Sequence, residues 1–148
     1  FTDGWLLHGI GAVQSGRRIA LPGGAELELL PRSAQAHYAE VLGRHDVGLA
    51  LMYTPHPSLV PIEMAAAGML TVTNSFENKT QDALTSISPN LLVAEPTIED
   101  VAAQLRDAAA GVGDYERRVA GSAVRWSRDW SSTFDAGLLT RVIRLLEA

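Results

Sequence analysis

The residues with most to offer chemically lie between His56 and Lys79. Glu63 sits in DVGLALMYTPHPSLVPIEMAAAG, residues 46–68, which reads as a buried strand, a Pro-rich loop and a short helix with one carboxylate in its first turn. A helix start carries free backbone N–H groups and the positive end of the helix dipole, so it suits a pyrophosphate. The N–H groups of residues 58–62, those of Ser58 and Leu59 among them, are better candidates for that anion than any side chain. An ionised Glu63 has two acceptor oxygens, which fits the vicinal hydroxyls of a ribose. The plainer reading of Glu63 is a solvated glutamate that the dipole favours by about 0.3–1 kcal/mol. His56 and Ser58, in the loop before the helix, are placed to touch a diphosphate or a sugar, or to do neither.

A second group follows in NSFENK, residues 74–79. It comes directly after a strand, and in parallel α/β sheets ligands bind outside the carboxyl ends of the strands, so it faces the same crevice. Asn74, Phe76 and Lys79 are the candidates there. Phe76 either stacks on a ligand or plugs the core. Glu77, Asn78 and Lys79 are either ligands or a solvated turn, with the turn favoured for Glu77. Gly9 and Gly11 form a Gly-x-Gly after a strand, a weak sign of a nucleotide fold. His8, His37, His45 and His56 show no metal-ligand spacing, and each reads as an ordinary histidine. No metal site and no cofactor is expected.

These residues need a scaffold. Strands are expected at 5–10, 26–30, 47–53, 70–73 and 91–94. The run at 47–53 is apolar throughout, as a strand covered on both faces should be. Ser33 reads as the cap of a helix through Leu42, Pro61 as a first-turn proline with Gly68 as the stop, and Thr97 as the cap of a helix ending near Gly111. Helices also read at 115–126 and 134–146, with Trp126 and Trp130 as packing residues before the last one. Strands alternating with helices imply a doubly wound, mostly parallel α/β sheet of Rossmann-like type, with five strands. The loops after residues 10, 30, 53 and 73 are the places to look for a site.

Composition narrows the classes. The 148 residues fit one domain, 1–148, with its last helix at about 134–146. The formal net charge of −5 gives no electrostatic reason to expect nucleic acid or anionic membrane. With no cysteine, disulfides, thiolate metal sites and cysteine nucleophiles are excluded, which suits a reducing cytoplasm. No apolar run approaches the roughly 20 residues that span a bilayer. The start, Phe1-Thr2-Asp3-Gly4, has no initiator methionine and reads as the beginning of a fragment.

The order strand, Pro-Ser loop, Glu63, small-residue helix and glycine resembles the donor half of the two-domain (GT-B) glycosyltransferases of family 4. In that family an acidic residue, seven residues and a second glutamate open the helix. Glu63 takes the second place; the first falls at Pro55, where the pattern departs. TPHPSLVPIEMAAAG with TNSFENKT is more similar to WsaF-type rhamnosyltransferases of bacterial surface-glycan assembly, which also depart from the two-glutamate pattern. The resemblance runs from Trp5 to the end and implies the C-terminal half of a GT-B fold. It implies a nucleotide-diphosphate sugar as donor, dTDP-L-rhamnose for the WsaF type, and a glycan acceptor held by an N-terminal domain outside this chain. It also places the loop of Leu30, Pro31 and Arg32 at the nucleobase, although Arg32 also reads as a surface charge.

The first strand and helix of the donor domain are missing by the same comparison, and with them the basic residue that usually meets the diphosphate. Lys79, the only lysine, is a partial substitute. The isolated chain is therefore expected to be inactive, with no catalytic residue assigned. The competing readings are a non-catalytic nucleotide-binding or interaction module and a dinucleotide-dependent oxidoreductase domain. The latter would want GxGxxG leading directly into a helix, and GIGAVQSG does not do so convincingly.

Overall fold

Strand β5, Leu70–Asn74, is buried at every position, and its neighbour β6, Leu91–Ala94, at three of four. Such runs have no solvent face and need cover on both sides. The computed structural model, which describes residues 4–12, 16–127 and 129–147, supplies it. Residues 1–3, at the start without an initiator methionine, and residues 13–15 of GIGAVQSG lie outside the described residues. The chain divides into two compact units, Phe1–His45 and Asp46–Ala148.

In the second unit the parallel sheet has the order β4-β5-β6, with β4 at Val47–Leu49. Helix α4, Ile98–Ala110, covers one face. There Leu70, Val72, Leu92, Ala94 and Ala108 form one buried cluster, with Val47, Val101 and Leu105 packed on it. Helices α2, Val60–Ala66, and α3, Gln81–Ile87, contact the sheet as well. Ala65, Leu84 and Leu91 form a second cluster, joined by Ile87, Val93 and Val124. Leu91 and Leu92 thus point to different clusters, as the two-residue period of a strand requires. This is the Rossmann-like α/β arrangement expected from the alternation of strands and helices.

Local chemistry explains the boundaries. Pro61 lies in the first turn of α2, and Gly68 follows its C-cap with φ of 85°, a conformation that glycine adopts without strain. Thr97 caps α4 by accepting from the Asp100 N–H, while the Asp100 carboxylate turns to the Glu95 N–H. Thr80 and Asp114 cap α3 and α5 (Tyr115–Ser122) in the same way. Asp129 caps α6, Trp130–Thr133, where Trp130 is 78% exposed and stacks on Phe134. The last helix, α7, runs Ala136–Leu146 from an Asp135 cap and leaves Leu139, Val142, Ile143, Leu145 and Leu146 exposed. Among the described residues no helix is long and apolar enough to cross a membrane.

The first unit holds β1, Leu7–Ala12, parallel to β3, Glu26–Pro31, with the short β2, Arg18–Ala20, antiparallel on β3. Arg18 pairs there with Glu26 and Glu28 across the strands. Helix α1, Gln35–Leu42, follows. Its N-cap is Ala34, with no side-chain cap, so the expected capping role of Ser33 does not form. His8 and His45 meet at 2.7 Å, and His45 also bonds the Val41 carbonyl at its other ring nitrogen.

The five expected strands all form, but their hydrogen bonds make two three-stranded sheets instead of one five-stranded sheet. Two local expectations also change. The run 47–53 is a strand only to Leu49, paired with β5, and beyond it the chain leaves the sheet with Leu51, Met52 and Tyr53 exposed, as is Leu49. The helix expected over 115–126 stops at Ser122.

Gly121, in α5, lies against Asn90, which is fully buried and donates to the Ala65 and Arg118 carbonyls. A Cβ at this position would come within 2.3 Å of the Asn90 side chain. Gly121→Ala should therefore lower stability by about 1–3 kcal/mol through overpacking. Urea unfolding of the two proteins checks this, and an unchanged midpoint would refute it.

Candidate functional site

Because β4, β5 and β6 run parallel, their carboxyl ends lie at one end of the sheet. Three segments leave from there: the chain after Leu49 towards α2, the turn after Asn74, and the residues after Ala94. The first is steered by the second. The Ala50 N–H still donates to the Val72 carbonyl at 3.0 Å. Beyond it the Asn74 side chain takes over the role of a strand neighbour. Its Oδ1 accepts from the Met52 N–H at 2.8 Å, and its Nδ2 donates to the carbonyls of Met52, at 3.2 Å, and Ser75, at 3.0 Å. The Lys79 ammonium donates to the same Met52 carbonyl at 2.5 Å. Asn74 and Lys79 are each 3% exposed. Burial makes the charged amine costly and holds its pKa below the ordinary lysine value.

The turn between them is closed by paired backbone bonds joining Phe76 and Lys79, at 3.1 and 2.8 Å. Glu77 at its tip has φ of 48°, unusual for a residue that is not glycine. The Phe76 ring meets the Tyr53 ring edge-on, with centroids 4.3 Å apart. Beside this pair opens a cleft of about 490 Å³, bounded by Ser75, Glu77, Thr80 and Gln81 on one side and Glu95 and Pro96 on the other.

The loop before α2 is held by its own polar groups. The Ser58 N–H donates to His56 Nδ1 at 3.0 Å, Ser58 Oγ accepts from the Val60 N–H at 3.3 Å, and Thr54 Oγ1 donates to the His56 carbonyl. Ser58 adopts φ of 65°. Leu59, 52% exposed, is the N-cap of α2 and makes no side-chain cap. Pro61 has no N–H, and that of Val60 is engaged by Ser58, so Leu59 and Ile62 carry the backbone donors at this start. Glu63 is exposed in the first turn. Its carboxylate makes no hydrogen bond or ion pair among the described residues.

The candidates therefore separate. Phe76 lies in the lining of the cleft, Asn74 and Lys79 lie beneath it as scaffold, and His56, Ser58, Leu59 and Glu63 follow along the loop and helix that the scaffold launches. Arg32 belongs to the first unit, where it is exposed and its Nε donates to the Gly11 carbonyl at 3.4 Å. The Gly9–Gly11 stretch belongs to β1, and among the described residues the next regular element is the strand β2. Among the described residues no three His, Asp or Glu side chains are grouped to hold a metal.

Sequence reasoning passed over Tyr53, Gln81 and Glu95. Tyr53 reads as the end of a buried strand. The loop after residue 94 lies outside the loops after residues 10, 30, 53 and 73, although the rule that points to strand carboxyl ends applies to it equally.

A family described as "WsaF, C-terminal domain" matches residues 1–106. The O-antigen biosynthesis protein RfbC of Myxococcus xanthus is 43% identical over 91 residues, 61% of this chain. The aligned stretch is 7% of that protein, so the chain spans only a small part of its length.

Two outcomes follow from the Met52 clamp. Asn74→Ala removes three hydrogen bonds around it, so stability should fall by about 1–3 kcal/mol and the Met52 amide should exchange much faster with solvent. Unaltered exchange at Met52 would count against the clamp. The second outcome concerns pH. The folded pKa of Lys79 lies below its unfolded value of 10.5. Between the two, the unfolded chain holds a proton that the folded chain has lost, so stability rises with pH through that window. Urea unfolding from neutral pH to about 10.5 should show the parent gaining on Lys79→Met. A constant difference would show that the amine is not perturbed.

Proposed function

The chain belongs to the WsaF C-terminal-domain family, and from that premise we propose that it is the donor-binding domain of a glycosyltransferase in surface-polysaccharide assembly. The observation that carries this reading is the convergence of three segments at the carboxyl ends of β4, β5 and β6, where parallel α/β sheets hold their ligands. The relative's role in O-antigen biosynthesis supports the class of product. The ligand is a nucleotide-diphosphate sugar, dTDP-L-rhamnose by the WsaF likeness, and the enzyme works in the cytoplasm on a glycan acceptor held by another domain.

In this reading the acceptor's hydroxyl attacks the anomeric carbon, the nucleotide diphosphate leaves with the bonding electron pair, and the hydroxyl's proton passes to the departing diphosphate. Glu63 accepts hydrogen bonds from the ribose, which its free, exposed carboxylate permits. The Leu59 and Ile62 N–H groups and the dipole of α2 face the diphosphate, with His56 and Ser58 beside it. Phe76 lies towards the sugar. Asn74 and Lys79 act by positioning, since their polar atoms are already engaged. Arg32 is assigned to the nucleobase by the family likeness.

A second reading, a nucleotide-binding module without catalysis, draws on one observation. The ammonium of Lys79 is buried and bonded to the Met52 carbonyl, so it is not free to bond a leaving group directly. A dinucleotide oxidoreductase is disfavoured because, among the described residues, the element after β1 is the strand β2.

Calorimetry of the chain with UDP, GDP, dTDP and NAD separates these readings. A nucleoside diphosphate should bind and NAD should not; tighter binding of NAD would overturn the donor-domain reading. Glu63→Ala should weaken the nucleoside diphosphate tenfold or more, which corresponds to at least about 1.4 kcal/mol. Glu63→Gln should be milder because its amide oxygen still accepts one bond, and dTDP, with only a 3′-hydroxyl, should lose less than UDP. Equal affinity in Glu63→Ala would remove the ribose role.

A further inference from the structure

The cleft beside Tyr53 and Phe76 is chemically unlike a phosphate site. Its ionisable carboxyl groups, Glu77 and Glu95, are both exposed, and no lining residue is cationic. The one nearby ammonium, Lys79, is buried and bonded to the Met52 carbonyl. An anion would be repelled. A divalent cation finds no third ligand among the described residues. What remains is a ring pair with an exposed apolar surface and two groups that, when ionised, only accept hydrogen bonds. Tyr53 is 72% exposed, and Phe76 supports it through an edge contact, which fixes the ring while leaving most of it open.

We propose that this cleft binds the uncharged hexose ring of the donor, stacked on the Tyr53–Phe76 pair, with its hydroxyls donating to Glu77 and Glu95. A pyranose matches both features. Its axial C–H bonds present an apolar, slightly positive face that suits the negative face of an aromatic ring. Its hydroxyls are donors for carboxylates, and such charge-assisted bonds are the stronger kind. Gln81, with a carbonyl and an NH₂, both accepts and donates at the same rim. The selectivity comes from charge: the two carboxylates exclude uronic acids and other anionic sugars. This rests on the donor-domain reading and identifies the part of the site that takes the sugar.

The test is NMR titration of the 148-residue chain with methyl α-L-rhamnopyranoside, methyl α-D-glucopyranoside, D-glucuronate and dTDP. The neutral glycosides should shift the Tyr53, Phe76 and Glu95 resonances with dissociation constants in the millimolar range, and glucuronate should bind at least tenfold more weakly. Tyr53→Ala, which removes a side chain that is mostly exposed, should weaken the glycosides tenfold or more while leaving dTDP affinity unchanged. Replacing both carboxylates, Glu77→Gln with Glu95→Gln, should abolish the discrimination against glucuronate. The inference is overturned if glucuronate binds as well as the neutral sugars, or if no glycoside moves Tyr53 or Phe76. If in the latter case dTDP still binds and Glu63→Ala weakens it, the donor-domain reading stands without this inference. If the glycosides bind as described and no nucleoside diphosphate does, the cleft is a sugar site and the donor-domain reading fails.

Discussion

One main-chain residue, Met52, sets the geometry of everything downstream of β4. The strand proper ends at Leu49, yet the chain does not wander, because Asn74 satisfies both the N–H and the carbonyl of Met52 and Lys79 adds a second donor to that carbonyl. A buried amide bonded in this reciprocal way does the work of a neighbouring strand. The cost of burying the Lys79 amine is offset by a charge-assisted bond of the stronger class. From this anchor the Tyr53 ring is set down on Phe76, and the loop to α2 begins from a defined point.

The far end of the second unit is secured in a similar way. Arg118 donates to the carbonyls of Gly68 and Val112 and pairs with Asp46, with its guanidinium near the Tyr115 ring. Asn90 joins the end of α2 to α5 through the Ala65 and Arg118 carbonyls. Carbonyls left open at helix ends and turns thus receive buried side-chain donors at both ends of the sheet. The apolar clusters on the two faces supply the burial, and these polar side chains fix where the loops begin.

The α/β class was legible in the sequence because β6 is an apolar run, β5 is rich in β-branched residues and α4 is framed by Thr97 and Gly111. Elements lacking such signals were missed. Strand β2 is three exposed residues whose partner is set by Arg18 meeting Glu28 across the ladder. Helix α3 buries only Leu84, too little for a visible stripe. The division into two sheets was invisible, since which strands pair is a tertiary matter that periodicity does not encode. The rule about strand carboxyl ends points to the loop that holds Phe76, and Phe76 lines the cleft there. The inward turn of Asn74 and Lys79 was not legible, because the types that bind ligands are also the types that bind carbonyls. Tyr53 was hidden by an apolar run that looked like one buried strand, whereas the strand ends at Leu49 and Tyr53 lies exposed beyond it.

Lys79 also makes the side chains of this sequence quiet towards amine chemistry. Acylating reagents attack unprotonated, accessible amines, and the single lysine of this sequence is enclosed and bonded to a carbonyl. Its lowered basicity favours attack, while its enclosure prevents it. The side chain can be modified only in moments when the segment around Met52 has opened. The rate of its labelling is therefore a clock for that opening, built into the chain at one position and free of interference from any other lysine.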